Sequence, residues 1–344
     1  MNWVIKDGLG QAGGIVFAAW LGRRKGMDAN PKKWRSVSSL AMDAATLMEI
    51  MSPLVPGYFL AVASVANVGK NIAYLSASAS RAAINNHFAT QKNLADVTAK
   101  SGSQAIFASL AGTSLGIALS PIVGSEWSNV ALGFAGLSLV HQVCTYLALR
   151  AVPLRTFNRE RLFHVLDTYV SEYINVDSTV NPSQVLVLSP GEVAKLERFW
   201  PLAPMVSVLG REKPFGFINT NPAHVADLLP SGEEDLQQLS ARSDCDGQER
   251  HYLLRFDDRS GVVKIGFLES VTGKDIVEAF LQAHLIKRAV SHPDKSVCME
   301  SVATDSATLA SAHVAALLSA MRGAGWDTEH LFVEPHVVRF SIEH

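Results

Sequence analysis

Between Lys100 and Arg150 the sequence carries a single charged residue, Glu126. The uncharged stretches on either side of it, 101–125 and 127–149, are each long enough to cross a bilayer, which takes roughly 20 apolar residues in a helix. Few soluble folds accommodate two such stretches in succession. The pattern therefore predicts that the first half of the chain is embedded in a membrane.

The two uncharged stretches are predicted to form a helical hairpin, Ala105–Ile122 and Asn129–Leu149, with its turn at Gly124–Glu126. Small residues recur four apart in the first helix, a spacing that lets helices approach closely in lipid. These residues are Ala108, Gly112 and Gly116.

Three further apolar segments precede this hairpin. Gly8–Leu21 is predicted to be a membrane helix, and Ile50–Gly69 is uncharged and long enough to span. Ser36–Met51 is either a spanning helix or an amphipathic segment lying at the interface, and the sequence leaves both interpretations open.

Charge is distributed unevenly along the chain. Residues 1–150 carry 12 Lys/Arg and 6 Asp/Glu (+6), and the remaining 18 and 26 in residues 151–344 give −8, which together make the net −2. A basic, apolar half suits anionic head groups, so membrane lipid is the first expected partner. Nucleic acid is excluded as a partner, because the basic residues form no stripe interleaved with aromatic residues.

The second half has the composition of a soluble domain. Arg155–Tyr173 is predicted to be an amphipathic helix with an apolar face of Leu162, Val165, Leu166 and Tyr169. Alternation predicts a β-hairpin, and helical periodicity predicts two later helices before a final pair of strands. The predicted segments are Tyr252–Phe256, Val262–Leu268, Gly273–Val290, Asp305–Arg322 (capped by Asp305), Leu331–Glu334 and Val337–Ile342.

The predicted fold is therefore mainly α, with a helical, multi-pass membrane N-terminal half followed by a small α+β domain. Residues 1–150 form the membrane part, 151–180 a connecting helix, and 181–344 the soluble α+β domain. An acidic, polar stretch at Ser231–Gly247 is predicted to be an exposed loop.

The segment Gly8–Gly13 matches the dinucleotide-binding pattern GxGxxG, with Asp28 near the position of the ribose-binding acid. The strand that should precede the motif is too short, and no second strand leads into Asp28. Since the motif has meaning only in a strand–turn–helix–strand frame, we predict that these glycines serve close helix packing instead.

Several polar residues lie in or beside the apolar segments and are candidates for a polar pathway. A carboxylate at the centre of a bilayer costs roughly 2.5–3.5 kcal/mol on insertion scales, so such residues usually face a bundle interior. Arg81 would suit an anionic group such as phosphate, because a guanidinium matches it bidentately. The candidates are Asp43, Glu49, Arg81, His87, Gln91 and Asp96.

The polar segment 76–102 is predicted to be a solvated helix between spans. In it, Lys92, Asp96 and Lys100 are four apart and would form an ion-pair ladder on one face. His87 and Gln91 have the spacing of a metal-binding pair, but no further ligand completes a set.

No catalytic constellation and no cofactor is identified from the sequence. HExxH, GxSxG and P-loop motifs are absent, and His141, alone in an apolar run, is interpreted as a hydrogen-bonded core histidine. The cysteines Cys144, Cys245 and Cys298 are distant and odd in number, so neither a disulfide framework nor a thiolate zinc site is expected.

The ordered motifs of the first half resemble the core of the root UVB sensitive (RUS) family. The resemblance is strong over about residues 2–165 and looser beyond. It is carried by Lys6–Gly10, Phe17–Trp20, Lys33–Arg35, Asp43, Ser52–Pro56, Ser80–Ala83, His87–Ala89, Gln91–Asn93, Ala95–Val97, Ala99–Lys100, Gly102–Gln104 and Pro153–Asn158.

This resemblance implies a membrane protein linked to UV-B responses, development and vitamin B6 homeostasis, in an organelle (plastid, mitochondrion or other) that the sequence leaves open. Family members carry a further region before the motif at Lys6–Gly10, so the chain is expected to be N-terminally short by comparison. The resemblance implies no reaction and no catalytic residue.

Three functions remain open at this stage. The first is a non-enzymatic, transporter-like or regulatory membrane protein acting on a small polar metabolite. The second is a membrane-anchored scaffold whose acidic C-terminal domain recruits a protein partner, for example another family member. The third is a soluble helical cofactor-binding protein, in which the apolar runs would be buried inside the chain.

Overall fold

A computed structural model describes two compact units, Met1–Leu154 with Arg198–Val206, and Arg155–Glu197 with Ser207–His344. The structure describes residues 2–21, 26–173, 187–201, 218–220, 251–257, 261–291, 299–332 and 339–340.

The first unit is helical. Its central helix, α4, packs against both α1 and α3. Its helices are α1 (Asn2–Leu21), α2 (Gly26–Ala29), α3 (Pro31–Met51), α4 (Phe59–Phe88), α5 (Leu94–Val123) and α6 (Trp127–Arg150).

Two prolines interrupt the segment predicted to span at Ile50–Gly69, and that prediction is wrong. Helix α3 ends at Met51, and two short 3₁₀ turns, Ser52–Leu54 and Pro56–Tyr58, precede α4. Proline lacks the N–H that helix continuation needs, so the chain turns at each one. Consequently α3 and α4 form an antiparallel pair.

Small residues allow α1 to approach α4 closely, as the sequence predicts for the glycines of α1. A Cβ on Gly13 would lie 2.7 Å from Val68 Cγ1, and one on Gly10 would lie 2.4 Å from Asn67 Nδ2. A Cβ on Gly8 would meet nothing within 4 Å. The GxGxxG segment lies wholly inside α1, which is not the frame of a dinucleotide site.

The predicted helical hairpin is confirmed as α5 and α6, joined at Gly124–Glu126. By length and composition, both helices are apolar enough to cross a membrane, and none of the most apolar window of either is buried. A Cβ on Gly112 or Gly116 would meet nothing within 4 Å, so the small-residue spacing of α5 serves no packing within the described chain. No other described helix, α1 included, passes the same test.

A short turn separates α4 from α5, and it overturns two predictions. Lys92 lies in this turn with φ of 58°, outside any helix, so it cannot share a helix face with Asp96 and Lys100. Gln91 lies in the same turn, beyond the end of α4, so it is not one helical turn from His87. The polar run at 89–93 therefore acts as a helix break, although it contains neither proline nor glycine.

The second unit is α+β. Its helices are α7 (Arg159–Tyr173), α8 (Pro190–Leu196), α9 (Gly273–Ser291) and α10 (Met299–Gly323), and its strands are β1 (Thr156–Phe157), β2 (Ile218–Asn219), β3 (Tyr252–Asp257), β4 (Val262–Leu268), β5 (Asp327–Leu331) and β6 (Arg339–Phe340). Strands β3 and β4 form the predicted antiparallel hairpin. Strands β2 and β6 pair parallel to β4, and β1 pairs parallel to β5.

One hydrophobic core joins α7, α9, α10 and the β3–β4 hairpin. The predicted apolar face of α7 is confirmed, since Leu162, Val165, Leu166 and Tyr169 are all buried in this core. The helix predicted to be a connector thus contributes to the core of the second unit.

Predictions at the end of this unit are less accurate. Helix α10 begins at Met299, so Asp305 is not its cap, and β5 ends at Leu331, where a strand was predicted to begin. The predicted loop at Ser231–Gly247 and the residues Cys245 and Cys298 lie outside the described residues.

Candidate functional site

The Asp43 carboxylate on α3 accepts hydrogen bonds from three side chains of α6. Ser138 Oγ donates at 2.5 Å and Gln142 Nε2 at 2.6 Å, both to Oδ2, and His141 Nδ1 donates at 2.9 Å to Oδ1. Ser39 Oγ, one turn earlier on α3, lies 3.1 Å from Gln142 Oε1. We call Ser39, Asp43, Ser138, His141 and Gln142 the Asp43 cluster.

The Asp43 cluster lies near the middle of α6, the helix that is long and apolar enough to span. The side chain of Asp43 is 15% exposed and that of His141 is 45% exposed. A carboxylate is retained in apolar surroundings when its oxygens are hydrogen-bonded, and three donors supply that here. His141 is hydrogen-bonded, as predicted, but to a carboxylate on another helix.

Glu49 lies two turns further along α3 and forms an ion pair with Lys70 of α4. Both side chains are 28% exposed, so the pair is screened only in part. Glu49 therefore ties α3 to α4, whereas Asp43 ties α3 to α6.

Arg81 is exposed on α4 and lies near Arg35 of α3. Burial lowers the pKa of Arg35, and the charge of Arg81 lowers it further. Neither guanidinium has a hydrogen bond or ion pair within the described chain. The two positive charges therefore lie close together with no carboxylate paired to either in the described chain.

The remaining candidates lie at the junction of α4 and α5. His87 Nε2 donates to the carbonyl oxygen of Pro153 at 2.7 Å, which fastens the end of α4 to the segment after α6. Gln91 is exposed in the turn, and Asp96 is exposed in the first turn of α5. Within the described chain, neither residue contacts the Asp43 cluster.

The six candidates thus serve different contacts and do not assemble into one site. Sequence reasoning missed Ser138 and Gln142, which hydrogen-bond Asp43 directly, beside His141. A signal for them exists, because Ser138, His141 and Gln142 recur at i, i+3 and i+4 as a polar stripe on an apolar helix. No comparable sequence pattern marks Arg35 or Lys70, because their neighbours are set only by the packing of α3 against α4.

The Asp43 cluster combines a carboxylate, an imidazole, two hydroxyls and an amide. No group of three or more His, Cys, Asp or Glu side chains that could hold a metal ion occurs among the described residues. A carboxylate with a histidine, a hydroxyl and an amide can hold a proton, a cation or a hydrogen-bonding solute.

Two family models match the chain. Residues 1–173 match the vitamin B6 photo-protection and homoeostasis domain, and residues 227–336 match the root UVB sensitive protein C-terminal domain. The chain therefore belongs to the root UVB sensitive family. The family resemblance stated from the sequence motifs is confirmed.

Curated relatives agree with this assignment. Protein root UVB sensitive 3 of Arabidopsis thaliana is 28% identical over 96% of the chain and 70% of its own length. RUS family member 1 of Dictyostelium discoideum is 34% identical over 57% of the chain and 35% of its own length. Protein root UVB sensitive 2, chloroplastic, of Arabidopsis thaliana is 34% identical over 47% of the chain and 36% of its own length.

The chain therefore aligns with little more than a third of the length of two of these relatives. No solved structure matches the chain.

Proposed function

We propose that this chain is a membrane-embedded, non-enzymatic component of vitamin B6 homeostasis, with a transporter-like or regulatory action on a small polar metabolite. The observation that carries the proposal is the Asp43 cluster. A carboxylate and its three donors meet halfway along a helix of spanning length. Intramembrane ionisable groups of this kind characteristically mark solute or proton pathways.

The surface of α5 and α6 supports placement in a bilayer. Large apolar side chains project from α5 with 63–79% of their surface exposed, namely Ile106, Phe107, Leu110, Leu115, Ile117 and Ile122. A soluble monomer rarely exposes a contiguous apolar patch larger than a few hundred Å². Lipid chains would cover these side chains, whereas a soluble cofactor-binding protein would have buried them in its own core.

The position of Asp43 supports a pathway more than a structural role. With α6 across the bilayer, Asp43 lies near mid-depth, where an ionised carboxylate costs roughly 2.5–3.5 kcal/mol on insertion scales. An apolar residue at this position would avoid that cost. A carboxylate beside a half-exposed histidine is suited to handling a proton or a polar solute.

The names of the family and its relatives suggest the physiological setting. The matched domain is described by vitamin B6 photo-protection and homoeostasis, and relatives are named for UV-B sensitivity. One relative is named as chloroplastic, which makes a plastid one compartment to examine. We extend these settings to this chain as part of the proposal.

The test is complementation by Asp43→Asn in cells lacking the native protein, scored by their vitamin B6 pools. The variant keeps the shape of the side chain but removes its charge and one acceptor. We expect function to fall tenfold or more while membrane fractionation stays unchanged. Glu126→Gln, in the exposed turn between α5 and α6, is the matched control and should complement fully. If Asp43→Asn and Glu49→Gln both complement fully, the pathway is excluded.

The charge of the C-terminal half favours a second function, a membrane-anchored scaffold. A domain carrying −8 can recruit a basic partner protein, including another family member. Reversing the acidic bias of this half while leaving its core intact should then abolish function, whereas Asp43→Asn should not. The opposite pair of results supports the pathway.

A further inference from the structure

Arg35 and Arg81 lie near one another on the antiparallel pair α3 and α4, close enough for their charges to interact. The register of the pair is fixed further along, where a Cβ on Gly69 would lie 3.2 Å from the Cβ of Ala45. Arg35 precedes Ala45 by ten residues, and Arg81 follows Gly69 by twelve. At about 1.5 Å of rise per residue, Arg35 lies about 15 Å along α3 from Ala45, and Arg81 lies about 18 Å along α4 from Gly69. Because the helices are antiparallel, both distances run the same way in space, so the two arginines lie at nearly the same height along the helix pair.

No carboxylate in the described part of the first unit forms an ion pair with Arg35 or Arg81. Asp43 accepts hydrogen bonds from α6, Glu49 forms an ion pair with Lys70, and Asp7 accepts a hydrogen bond from Asn67. The other carboxylates of residues 1–150, which are Asp28, Asp96 and Glu126, form no ion pair with either arginine within the described chain. Within the described chain, no carboxylate therefore stands between the two guanidinium groups and an external anion.

The surroundings of the pair reinforce its positive potential. Arg35 lies in the second turn of α3, close to the positive end of the helix dipole, which also favours an anion. Lys33 is exposed in the first turn of the same helix, whereas Lys32 is buried with its ammonium 5.8 Å from the centre of the Phe199 ring. Ser36, adjacent to Arg35, is fully buried, and its hydroxyl has no hydrogen-bond partner in the described chain.

We propose that Arg35 and Arg81 form a binding site for a phosphate group. The planar fork of a guanidinium matches phosphate oxygens bidentately, and two forks from opposing helices can clamp one phosphate. Either a soluble phosphorylated metabolite or a lipid head group can supply this chemistry. The inference rests on the arginines and not on transport, so it stands or falls separately from the proposed function.

Equilibrium dialysis of full-length protein in detergent, with radiolabelled inorganic phosphate, tests the site. We expect saturable binding by the native protein. Arg81→Gln and Arg35→Gln should each weaken it about tenfold or more, because each removes a charge and the charge-assisted hydrogen bonds that it donates. Arg150→Gln, which also removes one exposed arginine of the first unit, should bind phosphate like the native protein.

Arg81→Lys separates bidentate recognition from charge alone. It retains the positive charge but loses the fork, so it should bind less tightly than the native protein and more tightly than Arg81→Gln. Because Arg81 is exposed, its variants should fold even if Arg35→Gln does not. Undetectable saturable binding, or equal binding by the native protein and Arg81→Gln, would overturn the site.

Nanodiscs distinguish the two sources of phosphate. Protein in phosphatidylcholine discs is compared with protein in discs that also contain phosphatidic acid, again with inorganic phosphate as the probe. Competition by phosphatidic acid identifies a lipid head group, and unchanged phosphate binding identifies a soluble ligand. Both outcomes support the site. Loss of vitamin B6 function in Asp43→Asn with phosphate binding intact would show that the two proposals are independent.

Discussion

At the scale of single residues, buried polar groups in the second unit are held by partners on neighbouring elements. Arg161 is almost fully buried on α7, and its Nη1 donates to Glu197 Oε1 at 2.7 Å while its Nε donates to the Thr156 carbonyl oxygen at 2.6 Å. Tyr252 on β3 reaches Gln282 of α9 at 3.0 Å. Such contacts fix how helices and strands meet, because an unpaired buried charge or hydroxyl costs more than the pair gains.

His284 on α9 gives a residue-scale prediction. Its side chain is buried, Nδ1 donates to the Phe280 carbonyl oxygen at 2.8 Å, and burial lowers its pKa to about 4. An unfolded histidine titrates near 6.5, so between pH 6.5 and 4 the unfolded state binds more protons and stability falls as the pH falls. We expect the free energy of opening α9 to drop by about 2 kcal/mol from pH 7 to pH 5, measured by hydrogen exchange corrected for intrinsic rates.

The matched variant for this prediction is His284→Leu, which places an apolar, non-titrating side chain at the same position in the core. Its opening free energy should change less between pH 7 and pH 5 than that of the native protein. An identical pH dependence in both proteins would mean that other groups cause the effect.

Single residues also show the limit of sequence reading at the candidate site. Asp43 and His141 could be singled out because each is an ionisable group in or beside an apolar run. Their direct contact could not, because they lie 98 positions apart and only the packing of α3 on α6 joins them. Arg35 was not predicted to be a site residue, because only the packing of α3 on α4 brings it near Arg81.

At the scale of elements, prediction succeeded where periodicity and end signals agreed. The turn of the α5–α6 hairpin and both strands of the β3–β4 hairpin were located closely, because turn residues bound them, whereas α5 begins at Leu94, well before the predicted Ala105. Prediction failed at 52–58, where apolar character concealed two proline turns, and at 89–93, where polar residues end a helix without a strong breaker. Tertiary packing, which periodicity does not report, decides such boundaries.

The packing of α1 on α4 gives an element-scale prediction. Gly13→Ala introduces a Cβ that would lie 2.7 Å from Val68 Cγ1, and a valine side chain has little freedom to move away. Overpacking of this kind typically costs 1–3 kcal/mol, so we expect a lower thermal midpoint and faster hydrogen exchange in α1. Gly8→Ala is the control, since a Cβ there meets nothing within 4 Å and alanine favours the helix. Equal effects of both substitutions would contradict close packing at Gly13.

At the scale of the whole molecule, the two units differ in which kinds of side chain they bury. The second unit buries its apolar side chains in one core, as an ordinary α+β domain does. Helices α3 and α4 of the first unit bury mainly small and polar residues, including Ser36, Ser39, Ala45, Ser76 and Ser80, and most of the large apolar side chains described in this unit are exposed. This inversion is expected where lipid replaces water as the surrounding solvent, because helices there associate through small residues.

The inverted surface gives a whole-molecule prediction for Leu115, which is 63% exposed on α5. If α5 crosses a bilayer, Leu115→Arg places a charge among lipid chains at roughly 2.5–3.5 kcal/mol on insertion scales. We expect the variant to be released by alkaline carbonate, whereas the native protein stays with the membrane pellet. Ser125→Arg, in the turn between α5 and α6, should stay in the pellet as well.

Labelling of Cys144 completes this experiment, because it is exposed on α6 and reports on the same hairpin. A membrane-embedded α6 should shield Cys144 from a charged thiol reagent until detergent is added, and Leu115→Arg should make it reactive without detergent. If the native protein is released by carbonate and Cys144 reacts at once, the α5–α6 surface meets water or protein. The lipid interpretation of the first unit would then be wrong, whereas the phosphate site at Arg35 and Arg81 would remain open to test.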